Sequence, residues 1–564
     1  MRILILITIL FLLNIIGQTI FFRIDLTQDK RYSLSPVANK ILAELEDDIF
    51  IRVYLEGDFP AGFVRLQKSI RETLEEFRNI SGNKIQYQFI NPNENKEEKE
   101  RRQLYLQLAK KGLQPTNLNF MQDGKKSELI IFPGALVCLG EKEIPALFLK
   151  GNSSSSPEEI LNQSVEGVEF ELLSAIRKIT VKQKKKIRFL QGHGELNTKE
   201  ITDLARSLSE YYDVDTMRLW ELNDSTRMDA LVIANPQHPF TEWEKYKIDQ
   251  FVMRGGKLVL SINKININID SIGPQGIMAM PTDYNLDDLL FQYGIRLNSD
   301  LIQDIYSGFI PMVTGYIGNQ TQKQMVNWNF YPVANIFSEH PVTRNLDAIY
   351  LKFVGSMDTV FTEGVKKIPL VFTSRNCKLM KSPVRVSFDD LKLEIDPSSF
   401  RKGPVPVVYL LEGTFTSVFN NRLKPETKTT FKFLSKSNFN KIVVISDGDL
   451  MRNDVLTSNG EIFPLGYDRF TRKTFGNKEL CLHLLDYLLD DKGIISVRGK
   501  KVILRPLDKL KINKYRKIIQ TLNLILPVIL ILLAGVVFSY RRRKKFVTTH
   551  PPAIFCHQNT NNTK

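Results

Sequence analysis

Residues 187–195, which read IRFLQGHGE, decide the fold: a short apolar strand, Ile187 to Leu190, runs directly into a glycine-rich turn. A helix is predicted from Thr198 to Tyr211, and a second apolar strand, Ala230 to Ala234, repeats the pattern. Strands that alternate with helices predict a parallel sheet that is covered on both faces. The predicted fold class is therefore α/β.

The same alternation continues toward the C-terminus. Thr241 and Glu244 form a predicted capping box, and Gly255-Gly256 ends the helix that this box begins. Residues 307–435 lack a clear period and receive no element assignment. Further predicted elements are the strand Lys257 to Ile262, the helix Asp287 to Tyr293, the strand Ile442 to Ser446 and the helix Lys478 to Leu489.

A smaller unit precedes this region. The strand Ile49 to Leu55, the amphipathic helix Phe63 to Ile80 and the strand Lys84 to Ile90 predict a βαβ unit. A charged helix, Glu94 to Lys111, follows, and apolar segments on either side of Asp123-Gly124 and Gly140-Glu141 predict two hairpins. These elements form a first α/β domain.

A serine-rich break separates the two domains. After it, Ser156-Pro157-Glu158-Glu159 matches a capping box with proline at the first helical position, and the helix is predicted to reach about Ile179. The lysine run Lys182 to Lys186 is interpreted as a solvated connector.

Composition excludes several classes of protein. A chain of 564 residues with 43% hydrophobic residues is too long for one domain and too apolar for a disordered chain. Its four cysteines, Cys138, Cys377, Cys481 and Cys556, are far apart, which argues against a disulfide scaffold and a zinc ribbon. The net charge of +15 is partly concentrated in short runs without interleaved aromatics, so nucleic acid is not an expected partner.

Two segments are apolar and long enough to cross a bilayer. Ile3 to Phe22 spans about 30 Å as a helix and lacks a small-residue cleavage site, so it is interpreted as an uncleaved anchor. Ile518 to Tyr540 is the second candidate, and Arg541 to Lys545 follow it directly. A buried helix of a soluble protein is the alternative for each segment.

Two spans would place both termini on one side of the membrane and the body on the other. Basic residues flank the second span at both ends, so loop charge does not decide the orientation. Large domains translocate largely regardless of charge, which favours short cytoplasmic ends and an extracytoplasmic body.

His193, Glu195, Asp447 and Asp449 are the candidate site residues, because each follows an apolar strand at the end where α/β domains bind ligands. They could supply metal ligands or an acid and a base. The alternative, that they cap helices and shape turns, is favoured, so no catalytic, cofactor-binding or metal-binding residue is assigned. His238 and His340 each precede a proline, where turn formation is sufficient explanation.

Nucleotide chemistry has little support in this chain. Asn197 occupies the third glycine position of a dinucleotide fingerprint, and Glu195 would repel a phosphate. The sequence contains no phosphate-binding loop of the form G-x-x-x-x-G-K-[ST] and no nucleophile elbow of the form G-x-S-x-G. Cys377 is not flanked by the small residues that a nucleophile elbow requires. No cofactor is expected, and any ATP hydrolysis must come from a partner.

The chain resembles the gliding-motility GldG family and the related auxiliary components of ABC transporters found in Bacteroidetes, nearly from end to end. The stretches that carry this resemblance are DLT (25–27), DKRYSL (29–34), YLEG (54–57), FPAGF (59–63), GHGE (192–195), YLLEG (409–413), NR (421–422), SDGD (446–449), PLGYDR (464–469), GN (476–477) and DYLLDD (486–491).

The resemblance implies a non-enzymatic, membrane-anchored accessory subunit, substrate-binding-like, whose partners are a separate ABC permease and ATPase. It implies a role in gliding motility and type IX secretion, at the inner membrane with the bulk of the chain periplasmic. It also implies a central domain similar to class I glutamine amidotransferase-like and flavodoxin-like folds. The alternative hypothesis is a hydrolase or amidotransferase-like enzyme that uses the His193 turn.

The predicted organisation has a transmembrane helix at each end of the chain. Its segments are an anchor at 3–22, an N-terminal α/β domain at 23–150, a linker and helix at 151–186, a central α/β domain at 187–495, a juxtamembrane segment at 496–517, a second transmembrane helix at 518–540 and a basic tail at 541–564.

Overall fold

The computed structural model describes residues 33–94, 97–122, 125–149, 156–181, 183–223, 226–273, 275–317, 320–392, 396–425, 432–456, 458, 460–499 and 509–547. The chain divides into two compact units, Met1–Lys501 and Val502–Lys564, and each is described by itself. The predicted anchor Ile3 to Phe22 lies outside the described residues.

The first unit is mixed α/β, and the second contains one long helix. The described helices are α1 Pro36–Ala43, α2 Ala61–Ile80, α3 Glu98–Lys110, α4 Pro157–Thr180, α5 Thr202–Ser209, α6 Glu242–Met253, α7 Asp287–Tyr293, α8 Asn477–Leu489 and α9 Lys509–Val547. The described strands are β1 Ile49–Val53, β2 Ile85–Phe89, β3 Thr116–Gln122, β4 Lys125–Ile131, β5 Gly134–Leu139, β6 Lys142–Leu147, β7 Lys186–Leu190, β8 Asp213–Met217, β9 Ala230–Ala234, β10 Lys257–Ser261, β11 Ile277–Ala279, β12 Ile295–Leu297, β13 Asp300–Asp304, β14 Ser307–Ile317, β15 Gln320–Ala334, β16 Ile336–Phe337, β17 Ile349–Tyr350, β18 Met357–Thr359, β19 Val365–Phe372, β20 Cys377–Lys381, β21 Val384–Val386, β22 Pro406–Thr416, β23 Lys436–Ile445, β24 Tyr467–Asp468 and β25 Lys473–Thr474.

The central sheet has eight strands in the order β16-β19-β22-β23-β10-β9-β7-β8. The strands β23, β10, β9, β7 and β8 are parallel, whereas β22, β19 and β16 add on in antiparallel fashion. Among the parallel strands the spatial order is second, first, third, fourth, fifth, so the winding direction reverses between β7 and β9. The antiparallel strands come from the region that received no assignment from its sequence, and they make the sheet mixed rather than purely parallel.

Both faces of the central sheet are buried. Alternate residues of β9 belong to two different cores: Val232 packs with α4 and α8 on one face, and Ile233 packs with α6 and α7 on the other. Full burial of each such side chain contributes about 1.5–3 kcal/mol. The unbroken apolar run ALVIA is explained by this double covering.

The N-terminal α/β region has a four-stranded sheet in the order β2-β1-β5-β6, in which β1 and β2 are parallel and linked through α2. Two hairpins, β3-β4 and β5-β6, lie where the turn signals predicted them. The core of this sheet is continuous with one face of the central sheet through α4, whose Leu172, Leu173 and Ile176 are fully buried. Helix α4 is therefore a packing element that both sheets share.

Both predicted capping boxes are confirmed. Ser156 Oγ accepts from the Glu159 N–H at 3.3 Å, and Glu159 accepts from the Ser156 N–H at 2.9 Å. Thr241 and Glu244 make the same reciprocal pair. The predicted helix start at Thr198 is wrong, because the Asn197 side chain accepts from the N–H groups of the following turn and regular helix begins only at Thr202.

The two ends of the body meet. Helix α1 and the 3-10 helix Ile494–Gly499 belong to one apolar core, and Glu44 forms an ion pair with Lys492 at 3.0 Å. The N–H of Ser35, just before α1, donates to Glu169 of α4 at 2.7 Å. Residues that begin and end the described body are therefore neighbours.

The second unit contains α9, which includes the predicted span Ile518 to Tyr540. Within the described part of the chain, Tyr515–Lys544 is the helical stretch that is long and apolar enough to cross a membrane, and its side chains are exposed. The hydroxyl of Thr521 donates to the Lys517 carbonyl at 2.8 Å, so this polar group is satisfied within the helix.

Candidate functional site

Four parallel strands deliver polar residues to one edge of the central sheet. Glu195 follows β7, Asn235 follows β9, Asn263 follows β10 and Asp447 follows β23. Backbone hydrogen bonds continue past the strand ends: Leu196 N–H donates to the Ala234 carbonyl at 3.0 Å. This is the carboxyl edge of the sheet, and β7 and β9 are the strands between which the winding direction reverses, where α/β sheets bind ligands.

The His193 turn is built on two glycines. Gly192 and Gly194 have φ values of 132° and 76°, and a Cβ on Gly194 would lie 2.8 Å from the Gln237 side chain. The carbonyl of His193 accepts from the N–H groups of Gln237 and His238 at 2.7 and 2.9 Å. The loops after β7 and β9 are thus joined directly, and glycine allows their close approach.

The His193 ring lies between two carboxylates. Its Nδ1 is 3.4 Å from Glu195 and its Nε2 is 3.2 Å from Glu244, and the ring stacks on Phe240 with 4.0 Å between centroids. Burial would lower the pKa of His193, but the nearby carboxylates of Glu195 and Glu244 outweigh burial and raise the pKa. Glu195 also accepts from the His193 N–H at 2.7 Å, which closes the turn.

Asp447 and Asp449 hold the end of β23. The Asp447 carboxylate accepts from the N–H groups of Lys352 and Asp449 at 2.8 and 2.7 Å and so caps the 3-10 helix Gly448–Met451. Burial, followed by the nearby charge of Asp449, raises the pKa of Asp447. Asp449 itself accepts from Arg452 at 2.7 Å, and Arg452 also contacts Glu200.

The four sequence-predicted residues therefore form two pairs, His193 with Glu195 and Asp447 with Asp449. Residues that the sequence did not single out connect the pairs: Gln237 Nε2 donates to Asn235 Oδ1 at 3.0 Å, and Asn235 Nδ2 donates to Asp449 at 2.9 Å. On the other side, Gly448 N–H donates to Asn263 at 2.8 Å. Asn235 and Asn263 lie just after buried strands, and this position in the sequence could have identified them as candidate site residues.

A cavity of about 1110 Å³ opens against this edge of the sheet. Glu195 and Asp449 line it, whereas His193 is only 7% exposed and turns its ring toward Phe240. Much of the wall consists of amides, charged groups and rings: Asn197, Glu200, Asn235, Gln237, Asn263, Asn266, Asn268, Asp270, Lys352, Arg452, Asn453, Asp454, Asp468, Arg469, Tyr331, Tyr350, Phe353, Phe388 and Phe470. Such a wall can hydrogen-bond a polar ligand through groups that both donate and accept.

Two of the described cysteines are buried too deeply to resemble nucleophiles. Cys377 and Cys481 are fully buried, and burial raises the pKa of each thiol, so the reactive thiolate is disfavoured. Within the described ranges, no group of three or more His, Cys, Asp or Glu side chains is arranged to hold a metal ion. His340, whose pKa burial lowers, packs edge-on against Tyr487 and accepts from the Val342 N–H at 3.3 Å, which is a structural role.

Comparisons with known proteins cover both α/β regions. A family model described as an ABC-type uncharacterized transport system, auxiliary component, matches residues 184–483, more than half of the chain, and a domain of unknown function (DUF7088) matches residues 28–138. An uncharacterized protein of Borreliella burgdorferi is 22% identical over 553 residues, which cover 95% of this chain and 97% of that protein. Among solved structures, the chain is similar to the mmIFT52 N-terminal domain at 13% identity, with 54% of this chain and 99% of that chain covered. The TM-score of 0.31 is too low to support an argument about fold or function.

Proposed function

Because this chain belongs to the auxiliary-component family of an ABC-type uncharacterized transport system, we propose that it is a non-enzymatic, membrane-anchored accessory subunit of an ABC transporter. Its proposed partners are a separate permease and a separate ATPase. Its proposed task is recognition of a polar ligand at the carboxyl edge of the central sheet.

The observation that carries the proposal is the position of the family match. Residues 184–483 include β7, β9, β10 and β23, and with them every residue that was named at the strand ends. The sequence has no phosphate-binding loop, so the energy of ATP has to enter through another polypeptide. A transport-associated role is therefore divided between this chain and others.

Membrane anchoring at both ends is the second part of the proposal. The α9 helix has the length and the exposed apolar surface of a transmembrane helix. The Glu44–Lys492 ion pair and the shared core of α1 with Ile494–Gly499 bring the two ends of the body together. Ends that leave the body side by side suit a chain whose predicted spans, Ile3 to Phe22 and Ile518 to Tyr540, enter one membrane.

The body is proposed to be periplasmic, at the inner membrane, and the system is proposed to serve gliding motility and type IX secretion. The sequence resemblance to the GldG family supports this finer assignment. The strand order of the five parallel strands is also the order of flavodoxin-like sheets, which supports the proposed kinship of the central domain with flavodoxin-like and amidotransferase-like folds.

The enzyme alternative is weaker on the geometry. A general base needs a ring nitrogen that reaches the substrate, but both ring nitrogens of His193 face carboxylates of the protein. Asp447 and Asp449 receive backbone and side-chain donors from the surrounding loops. Both pairs therefore hold loops together, which is a scaffold's role.

Affinity purification of the full-length protein from mild detergent tests the proposal. The expected result is recovery of a permease and an ATPase with the intact chain. The matched control replaces residues from Ile518 onward with an unrelated membrane helix, which keeps the body and its attachment to the membrane.

Reduced recovery with this control would assign the contact to the second span. Equal recovery would assign it to the body. Recovery of neither partner with the intact chain, under conditions that preserve other membrane complexes, would remove the transporter-subunit proposal.

A further inference from the structure

A second cavity lies where the N-terminal α/β region, α4 and the central domain meet. Its volume is about 490 Å³, inside the range of about 300–1,000 Å³ that small-ligand sites occupy. Helices α4 and α8 form two of its walls, and residues after β6 and in the 3-10 helix Ile494–Gly499 complete it. It shares no described lining residue with the cavity at the carboxyl edge, so it is a separate candidate site, here named the α4 cavity.

Two buried polar atoms at the α4 cavity lack hydrogen-bond partners. Gln163 and Arg498 both line the cavity, and each side chain as a whole is half-buried. The Gln163 Oε1 and Arg498 Nη1 atoms are inaccessible to solvent, and neither makes a hydrogen bond to the described residues. A buried polar atom without a partner is unfavourable, so a ligand gains by offering a donor to Gln163 and an acceptor to Arg498.

Open space separates these two atoms along one face of α4. Gln163, Gly167 and Phe170 are four and then three positions apart, so they share a helical face, and all three line the cavity. A Cβ on Gly167 would meet no atom within 4 Å. Because a helix rises 1.5 Å per residue, the open stretch from Gln163 to Phe170 is about 10 Å long.

The walls of this stretch are largely apolar. The buried rings of Phe148, Phe170 and Phe475 line the cavity. The Arg498 guanidinium lies over the Phe170 ring, with 4.5 Å between its carbon and the ring centroid. The cavity therefore combines apolar surface with two fixed polar positions, which is the usual composition of a ligand site.

The lining is acidic although the chain as a whole has a net charge of +15. Five acidic lining residues, Glu166, Glu171, Asp347, Glu479 and Asp486, face three basic ones, Lys178, Arg344 and Arg498. Burial lowers the pKa of Arg498, and the charges of Glu171 and Asp486 act in the opposite direction, so both carboxylates are near the guanidinium. They would repel an anion at Arg498 but not a neutral carbonyl.

An extended peptide matches these features. It carries N–H donors, carbonyl acceptors and apolar side chains, and three residues at about 3.3 Å each span about 10 Å. Its N-terminal ammonium group supplies a donor to Gln163 and the positive charge that an acidic lining favours. A backbone carbonyl supplies a neutral acceptor to Arg498.

From this match we propose that the α4 cavity binds a short apolar peptide of about three residues, whose free N-terminus contacts Gln163 and whose backbone carbonyl contacts Arg498. The site is additional to the polar-ligand site at the carboxyl edge. It depends on neither a permease nor an ATPase.

Isothermal titration calorimetry of the full-length protein in bilayer nanodiscs tests the proposal with three peptides. The first, Ala-Leu-Ala amide, has a free N-terminus and no C-terminal charge. The second is the same amide with an acetylated N-terminus, and the third has a free C-terminal carboxylate. Empty nanodiscs measure the heat of partitioning into lipid.

The first peptide should bind roughly tenfold or more tightly than the other two. Acetylation removes the ammonium group, and the free carboxylate meets the charges of Glu171 and Asp486. Tightest binding of the peptide with the free carboxylate would overturn the proposal. So would the absence of binding heat for all three peptides at about 1 mM.

Gly167→Leu is the blocking variant, and Gly167→Ala is its matched control. Leucine would extend into the open space beside α4, whereas alanine adds only a Cβ there. Both replace a glycine inside a helix with a better helix former, so neither should unfold α4. The leucine variant should lose roughly tenfold or more in affinity for Ala-Leu-Ala amide, and the alanine variant should keep binding it. Native affinity in the leucine variant would overturn the proposal.

Gln163→Leu tests the contact with the N-terminus separately. It removes the acceptor Oε1, so it should bind the free and the acetylated amide with similar affinity. A full preference for the free N-terminus in this variant would contradict the assigned contact and overturn the proposed orientation of the peptide.

Discussion

Asn235 is the residue on which the arrangement of the strand ends most depends, so Asn235→Ala is the most informative substitution. Its side chain is 3% exposed, donates to Asp449 at 2.9 Å and accepts from Gln237 at 3.0 Å. Its backbone has a φ of 53°, in the left-handed region. Alanine would remove both hydrogen bonds and keep the unfavourable backbone conformation.

The expected loss can be estimated from these contacts. The hydrogen bond to the Asp449 carboxylate is worth about 1.5–3 kcal/mol and the neutral one to Gln237 about 0.5–1.5 kcal/mol. Alanine in the left-handed region costs about 1–2 kcal/mol. The free energy of unfolding should therefore fall by roughly 3–5 kcal/mol, allowing for incomplete additivity.

Asn235→Gly separates the two contributions. Glycine loses the same hydrogen bonds but tolerates the positive φ, and its own entropy cost of about 0.5–1 kcal/mol offsets part of that advantage. Asn235→Gly should therefore be less destabilising than Asn235→Ala by roughly 0.5–1 kcal/mol.

Urea unfolding of the full-length protein in mild detergent, followed by tyrosine and tryptophan fluorescence, measures both losses. If Asn235→Ala changes the unfolding free energy by less than about 0.5 kcal/mol, the hydrogen-bonded link between the two pairs is not a structural element. A glycine variant that is less stable than the alanine variant would refute the argument from the backbone.

Three further predictions concern the His193 turn and the topology. His193→Ala with Glu195→Ala should leave partner recovery near the native level when the protein accumulates, because the turn has a structural role; normal accumulation with lost recovery would indicate a binding site there. The pKa of His193 is raised, so its charged form stabilises the fold at low pH. This contribution is lost as the pH rises above about 6.5. The thermal unfolding temperature of His193→Gln should therefore vary less with pH over that window than the unfolding temperature of the native protein. Cys556 should be protected from a membrane-impermeant thiol reagent in intact cells and should react after the membrane is opened; labelling in intact cells would reverse the proposed topology.

Local sequence patterns predicted the helix starts and strands that are determined by residues close together in the sequence. The capping boxes at Ser156 and Thr241 were predictable because the residues that make them are three positions apart. The strands that end at Leu190 and Ala234 were predictable because each is a short apolar run before a turn.

Features that depend on long-range pairing were not predictable. Strand β22 pairs with β19 and β23, which are distant from it in sequence. No short-range periodicity in the sequence indicates this pairing. The position of Asn235 and Asn263 after apolar strands is a local signal, but their contacts with Asp449 and Gly448 follow only from the sheet order, which places β9 and β10 between β7 and β23. The pairing of Glu44 with Lys492 joins residues 448 positions apart, so no window of sequence contains it.

The central claim is that this chain recognises a polar ligand and is anchored in the membrane, while another polypeptide hydrolyses ATP. The most direct measurement compares ATP hydrolysis by the affinity-isolated complex with hydrolysis by the same chain produced alone and reconstituted into lipid. The account predicts hydrolysis in the complex, lost when the ATPase subunit is omitted, and none by the chain alone. ATP hydrolysis by the chain alone, or an isolated complex without any ATPase activity, would contradict it.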